Sequence, residues 1–113
     1  MTDCVFCDIV AGRAPANIVR EWSRAIAFTP RNPVTDGHTL VIPRQHVRDA
    51  ADYPTLTAHT MRCAAGLVRE FGDANLITSI GSVATQTIFH LHIHVVPRRD
   101  GDGLLLPWSR SVV

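Results

Sequence analysis

Gln86-Thr87-Ile88-Phe89-His90-Leu91-His92-Ile93-His94-Val95-Val96 is the stretch of this chain whose residue types and spacing could do chemistry. On an extended backbone, successive side chains point to opposite faces. His90, His92 and His94 are therefore expected on one face, and Leu91, Ile93 and Val95 on the other, toward a core. Three imidazoles within roughly 14 Å of extended chain are costly to bury without partners. Two uses of them stay open on the residues alone. Neutral imidazole ligates metals, and His-x-His on a strand can chelate, although no Asp or Glu stands in the motif and the nearest one downstream is Asp100. Alternatively one imidazole is a nucleophile. Near its ordinary pKa of about 6.5 it is largely neutral at pH 7. It can then attack phosphorus and divide a difficult transfer into two steps, with its neighbours donating protons.

The elements that must position these rings follow from pattern and punctuation. Asp8 to Gly12 reads as a short helical turn stopped by glycine. Ile18 to Trp22 and Ala25 to Phe28 read as strands separated by Ser23-Arg24. Pro30 to Gly37 reads as a loop, and His38 to Ile42 as a buried strand ended by Pro43. Thr55 to Phe71 is the one long helix, with Leu56, Met61, Ala64, Leu67, Val68 and Phe71 at helical spacing and Gly72 as its cap. His59 and Cys63 lie one turn apart on it, without a third ligand. Asn75 to Ile80 and Thr87 to Val96 are the last strands, joined through the small loop Gly81 to Thr85. Three strands, a helix and two strands suit an antiparallel α+β sheet rather than a doubly wound one.

Size and charge narrow the classes further. At 113 residues, one domain over 1–113 is expected. Apolar residues at 46% and charged ones at 19% suffice for a core without staples. The net charge of +1 gives no field favouring nucleic acid or an anionic membrane. All basic residues are Arg, so lysine-based covalent chemistry is excluded. No leader pattern precedes Cys4 and no apolar run reaches a membrane span, so a cytoplasmic chain is expected. In that setting three cysteines, two of them as Cys4-Val5-Phe6-Cys7, read as thiols or a metal half-site rather than a disulfide framework.

His90-Leu91-His92-Ile93-His94-Val95-Val96 resembles the signature of the histidine triad (HIT) superfamily. Cys4 to Gly12 resembles the family's opening, Gly37 to His46 its central strand and turn, and Gln86 to Phe89 the approach to the triad. The four stretches run in order from Cys4 to Pro97, nearest to the Hint-like branch. The resemblance implies a small α+β homodimer with an antiparallel sheet, one long helix and a short N-terminal helix. It also implies a nucleoside mono- or polyphosphate ligand, and hydrolysis or transfer at the α-phosphorus of phosphoramidates or dinucleoside polyphosphates. His92 would be the nucleophile, oriented by the backbone carbonyl of His90. His38, His90, His94, Gln86, Thr87 and Ser79 would support the phosphate, the Gly81 to Thr85 loop would offer it backbone N–H groups, and Phe6, Ile9, Phe28 and Asn32 would hold the nucleoside. No catalytic cofactor is implied. Some relatives hold a structural zinc, for which Cys4, Cys7, His46 and His90 form a complete set.

Three places depart from the Hint-like pattern. Thr29-Pro30-Arg31-Asn32 stands where an acidic residue grips the ribose, leaving Asn32 or Arg31 for that contact. Ser79 stands where many relatives have Asn, and Ala84-Thr85 where they have two glycines. These changes keep a binding module without catalysis as an alternative, beside a metallohydrolase using His90, His92 and His94. By the resemblance the dimer would draw on Leu67, Val68 and Phe71, although a monomer core could use the same residues equally, and Trp108 in the apolar tail is expected to be packed.

Overall fold

The computed structural model describes residues 3–109. Its elements are α1 (Val5–Val10), β1 (Asn17–Glu21), β2 (Ala25–Thr29), β3 (Thr39–Pro43), α2 (Pro54–Val68), β4 (Ala74–Ile77), a 3₁₀ turn (Ser82–Ala84) and β5 (Ile93–Pro97). The strands form one antiparallel sheet in the order β1-β2-β3-β5-β4. The expected α+β class and element order are what the structure shows.

Period-two alternation divides the sheet into two faces. Ala25, Ala27, Val41, Ile93 and Val95 form one core with Leu56, Cys63, Ala64 and Leu67 of α2. The two alanines of β2 are fully buried in that core. Ile26, Phe28, Leu40 and Ile42 point the other way and pack with Phe6 of α1. Leu40 of β3 pairs with His94 of β5. That register puts His94 on the α1 face, while its neighbours Ile93 and Val95 anchor the strand beneath α2. Residues directly opposite across an antiparallel pair point to the same side of the sheet.

Several boundaries differ from the sequence reading. α1 starts earlier, because Cys4 caps it: its Sγ accepts from the Cys7 N–H at 3.2 Å. Sulfur is an uncommon cap beside Ser, Thr, Asp or Asn, so residue type alone does not mark this helix start. α2 ends at Val68, and Phe71 lies beyond it, 41% exposed. The last strand covers only Ile93–Pro97 rather than beginning at Thr87. Residues 87–92 carry no ladder hydrogen bonds, yet Leu91 still faces the α2 core. The loop expected over Gly81 to Thr85 holds the 3₁₀ turn, with Thr85 left-handed at φ 74°. Trp108, expected to be packed, is 59% exposed. Among the described residues no helix is long and apolar enough to cross a membrane.

Candidate active site

Gly37 begins the construction of the site. Its φ of +87° disfavours any other residue, and a Cβ there would stand 3.0 Å from Cγ of Pro97. This tight turn delivers His38 to the start of β3 on the same face as Leu40, beside His94. The His38 ring is 5% exposed, and both of its nitrogens are engaged. The Val34 N–H donates to Nδ1 at 3.0 Å, and Nε2 lies 2.9 Å from Nδ1 of His94. A neutral imidazole carries one proton. Since His38 Nδ1 accepts, its Nε2 must donate, so His94 Nδ1 accepts and His94 Nε2 keeps the proton. A single backbone amide thus sets the tautomers of two rings. Burial pushes His38 below its ordinary pKa, and burial with His92 and His38 nearby takes His94 down to about 4. Both are neutral at pH 7.

His92 is fixed in the opposite sense. Its Nδ1 lies 2.9 Å from the backbone carbonyl of His90. A carbonyl only accepts, so Nδ1 carries the proton and Nε2 keeps the lone pair. The carbonyl of His92 in turn accepts from the Thr78 hydroxyl at 2.8 Å. Phe6 meets the His92 ring edge-on, with centroids 5.2 Å apart. Burial lowers the His92 pKa, and the bond to His90 works against that shift. The result is a neutral imidazole with one available ring nitrogen.

His92 and His94 line a cavity of about 770 Å³. Thr87, Phe6, Ile9, Phe28 and Asn32 line it too, so most of the residues proposed for nucleoside and phosphate share one space. Val5, Ala14, Pro15, Ala16, Leu40 and Ile88 complete its apolar wall, and Thr29, Pro30 and Arg31 its rim. Val5, Leu40 and Ile88 lie in the stretches that carry the resemblance and Thr29 to Arg31 in the departure at the ribose contact, whereas Ala14, Pro15 and Ala16 carry no motif that would have marked them.

Other expected contacts fall elsewhere. His38 does not line the cavity and reaches it only through His94. Gln86 is 3% exposed and committed to the backbone: Oε1 accepts from Gly81 N–H at 2.8 Å, and Nε2 donates to the carbonyls of Arg48 at 2.9 Å and Ile88 at 3.1 Å. It ties the 81–86 loop down. Ser79 is half-buried outside the cavity lining. Cys63 Sγ comes only to 4.0 Å from His59 Nε2 on α2, and among the described residues the pair gains no third ligand.

His90 faces away from the cavity. Its ring is fully buried, and Nε2 donates to the carbonyl of Pro43 at 2.9 Å. Nδ1 therefore presents a lone pair. It points at His46 Nδ1 (3.2 Å), Cys4 Sγ (3.4 Å) and Cys7 Sγ (3.5 Å), while Cys7 Sγ lies 3.2 Å from His46 Nδ1. A tetrahedral zinc with bonds of about 2.3 Å to sulfur and 2.0–2.1 Å to nitrogen puts its ligand atoms roughly 3.3–3.8 Å apart. The four residues fit that spacing, and their chemistry is that of a closed structural site. Among the described residues this is the only group of three or more His, Cys, Asp or Glu with ligand atoms within 4.8 Å of one another. The rings of His90, His92 and His94 do not converge on a common ion. Burial and the neighbouring Cys4 hold the Cys7 thiol up at about 11, a sign that a bound cation reverses.

Comparison with known proteins agrees with this geometry. The HIT domain model matches residues 11–101. A HIT-like protein of Mycobacterium tuberculosis is 42% identical over 108 residues, covering 89% of this chain and 75% of that protein. A zinc-bound histidine triad family protein from Mycobacterium smegmatis superposes with a TM-score of 0.80 at 42% identity, covering 91% of this chain and 80% of that one. A HIT family hydrolase from Clostridium thermocellum superposes with a TM-score of 0.81 at 30% identity, covering 94% of this chain and 99% of that one.

Proposed function

This chain belongs to the HIT domain family, and from that premise we propose that it is a nucleotidyl hydrolase or transferase acting at the α-phosphorus of a nucleoside phosphoramidate or dinucleoside polyphosphate. The observation that carries the reading is the 2.9 Å bond from His92 Nδ1 to the His90 carbonyl, which leaves Nε2 of a cavity-lining ring as the attacking atom.

In the first step the Nε2 lone pair forms a bond to the α-phosphorus, and the bond from phosphorus to the leaving nitrogen or oxygen breaks. The leaving atom takes the electron pair. His94 Nε2–H hydrogen-bonds the leaving atom, which takes its proton from solvent. The nucleotidyl-imidazole carries a positive charge, which the His90 carbonyl stabilises through Nδ1–H. In the second step water attacks phosphorus, the P–N bond breaks and His92 Nε2 recovers its electron pair; one proton of that water stays on the phosphate and the other passes to solvent. The nucleoside base lies against Phe6, Ile9 and Phe28, and Thr87 meets the phosphate. His38 holds the tautomer of His94.

Cys4, Cys7, His46 and His90 hold a structural zinc in this reading; it fastens α1, and with it Phe6, to the sheet beneath His92. The chain acts as one domain over 1–113 and pairs as a homodimer. The exposed Phe71, Ile77, Leu105 and Trp108 are candidates for cover in that pair. The direct test is turnover of an adenosine phosphoramidate by His92→Asn. Loss of turnover with folding intact is expected; unchanged turnover would contradict the assignment.

A further inference from the structure

We infer that the substrate carries a second anionic group on its ribose, a 2′- or 3′-phosphate, gripped by Arg31 with Asn32 beside it. This rests on reading the cavity as a nucleotide site. None of the residues that line it is Asp or Glu, and its one permanent charge is Arg31. Each ribose hydroxyl both accepts and donates, and a carboxylate meets the two donors of a diol at once. A guanidinium offers donors only, so it leaves those two donors unmet, whereas it binds phosphate in two-pronged fashion.

Arg31 is also available for that role. Arg13, Arg20, Arg44, Arg48 and Arg98 each have a carboxylate within 4.0 Å. Arg99 donates to Thr35 and Asp36. Among the described residues Arg24, Arg31, Arg62 and Arg69 have no such partner, and of these only Arg31 lines the cavity, exposed at its rim. The flanking Pro30 and Pro33 restrict the backbone of Thr29-Pro30-Arg31-Asn32, which lowers the cost of ordering the rim around a ligand. Among the residues that line the cavity Arg31 is the only Arg or Lys, and so the one fixed cation it can set against a doubly phosphorylated nucleotide.

The test is calorimetric binding of four probes to the full chain: adenosine 5′-monophosphate, adenosine 5′-diphosphate, adenosine 2′,5′-bisphosphate and adenosine 3′,5′-bisphosphate. One bisphosphate is expected to bind about tenfold tighter than the monophosphate, as for one exposed charge-assisted contact. The two isomers distinguish the 2′ from the 3′ position. In Arg31→Ala that ratio should fall to within about twofold of unity, with partial recovery in Arg31→Lys. Rising salt should erode it, because the site is exposed. Bisphosphates no tighter than the monophosphate, or an advantage that survives Arg31→Ala, would overturn the inference. So would an equal gain for the diphosphate, which would place Arg31 against a β-phosphate. In those cases monophosphate binding leaves the nucleotide reading standing; failure of all four probes to bind would overturn both.

Discussion

The carbonyl of His90 accepts from His92 Nδ1 at 2.9 Å while the His90 ring turns its own Nδ1 to within 3.5 Å of Cys4 and Cys7. One residue thereby joins the Cys/His cluster to the ring read as the nucleophile, by its side chain in one direction and its backbone in the other. Phe6, edge-on to both His90 and His92 and lying between the two cysteines in sequence, closes the same small circuit.

The cluster should therefore hold metal and stability together. Purified protein is expected to contain one zinc per chain by elemental analysis. Cys4→Ser and Cys7→Ser should each lose it, and the thermal midpoint should fall by roughly 5–15 °C. Full zinc content in both variants, or a midpoint that does not respond to a strong chelator, would remove the cluster from the account.

His38 should matter to the leaving group without touching substrate. His38→Ala frees His94 to take the wrong tautomer, and a loss of about 10–100-fold in kcat is expected, at or below the cost of removing one such hydrogen-bond donor outright. The loss should be larger for a basic leaving amine than for an acidic leaving group. Equal losses for both would point to a purely structural role for His38.

His94 gives a pH prediction with a defined sign. Its folded pKa lies at about 4, below the ordinary value of about 6.5. Between these values the unfolded chain binds more protons than the folded one. Its contribution to stability is therefore complete above pH ~6.5 and is lost as pH falls toward ~4. The urea midpoint of the native protein should decline across that window, and more steeply than that of His94→Gln. Parallel curves for the two proteins would contradict it.

Thr85 stores strain. It is a β-branched residue at φ 74°, a conformation that costs non-glycine residues about 1–2 kcal/mol. Thr85→Gly should stabilise the protein by roughly 0.5–1 kcal/mol after glycine's added unfolded-state entropy is subtracted. Equilibrium denaturation measures this directly, and a destabilised variant would show that the Thr85 side chain makes a compensating contact.

The alternation of His92 and His94 with Leu91, Ile93 and Val95 was legible in the sequence because it needs only an extended backbone, whereas the turn of the His90 ring toward the Cys/His cluster was not. The alternation held through Leu91 even where no ladder hydrogen bonds form. The sheet class followed from strand and helix order. The pairing of His38 with His94 was not legible as a hydrogen bond, since it depends on the β3–β5 register and on an amide at Val34. Gln86 misled because an amide next to a phosphate loop suggests a ligand contact, whereas burial commits it to three backbone groups. The cluster of Cys4, Cys7, His46 and His90, whose first and last residues are 86 positions apart, was expected from the family resemblance and not from any local period. Arg31 stands out only once the cavity shows that no carboxylate accompanies it.

The covalent step is the centre of the account, and rapid acid-free quenching of single-turnover reactions followed by mass spectrometry of the intact chain and its peptides tests it most directly. A nucleotidyl adduct on the peptide containing His92, appearing before product and absent in His92→Asn, is the expected result. Full turnover in which no adduct forms on that peptide, or an adduct that persists in His92→Asn, would contradict it.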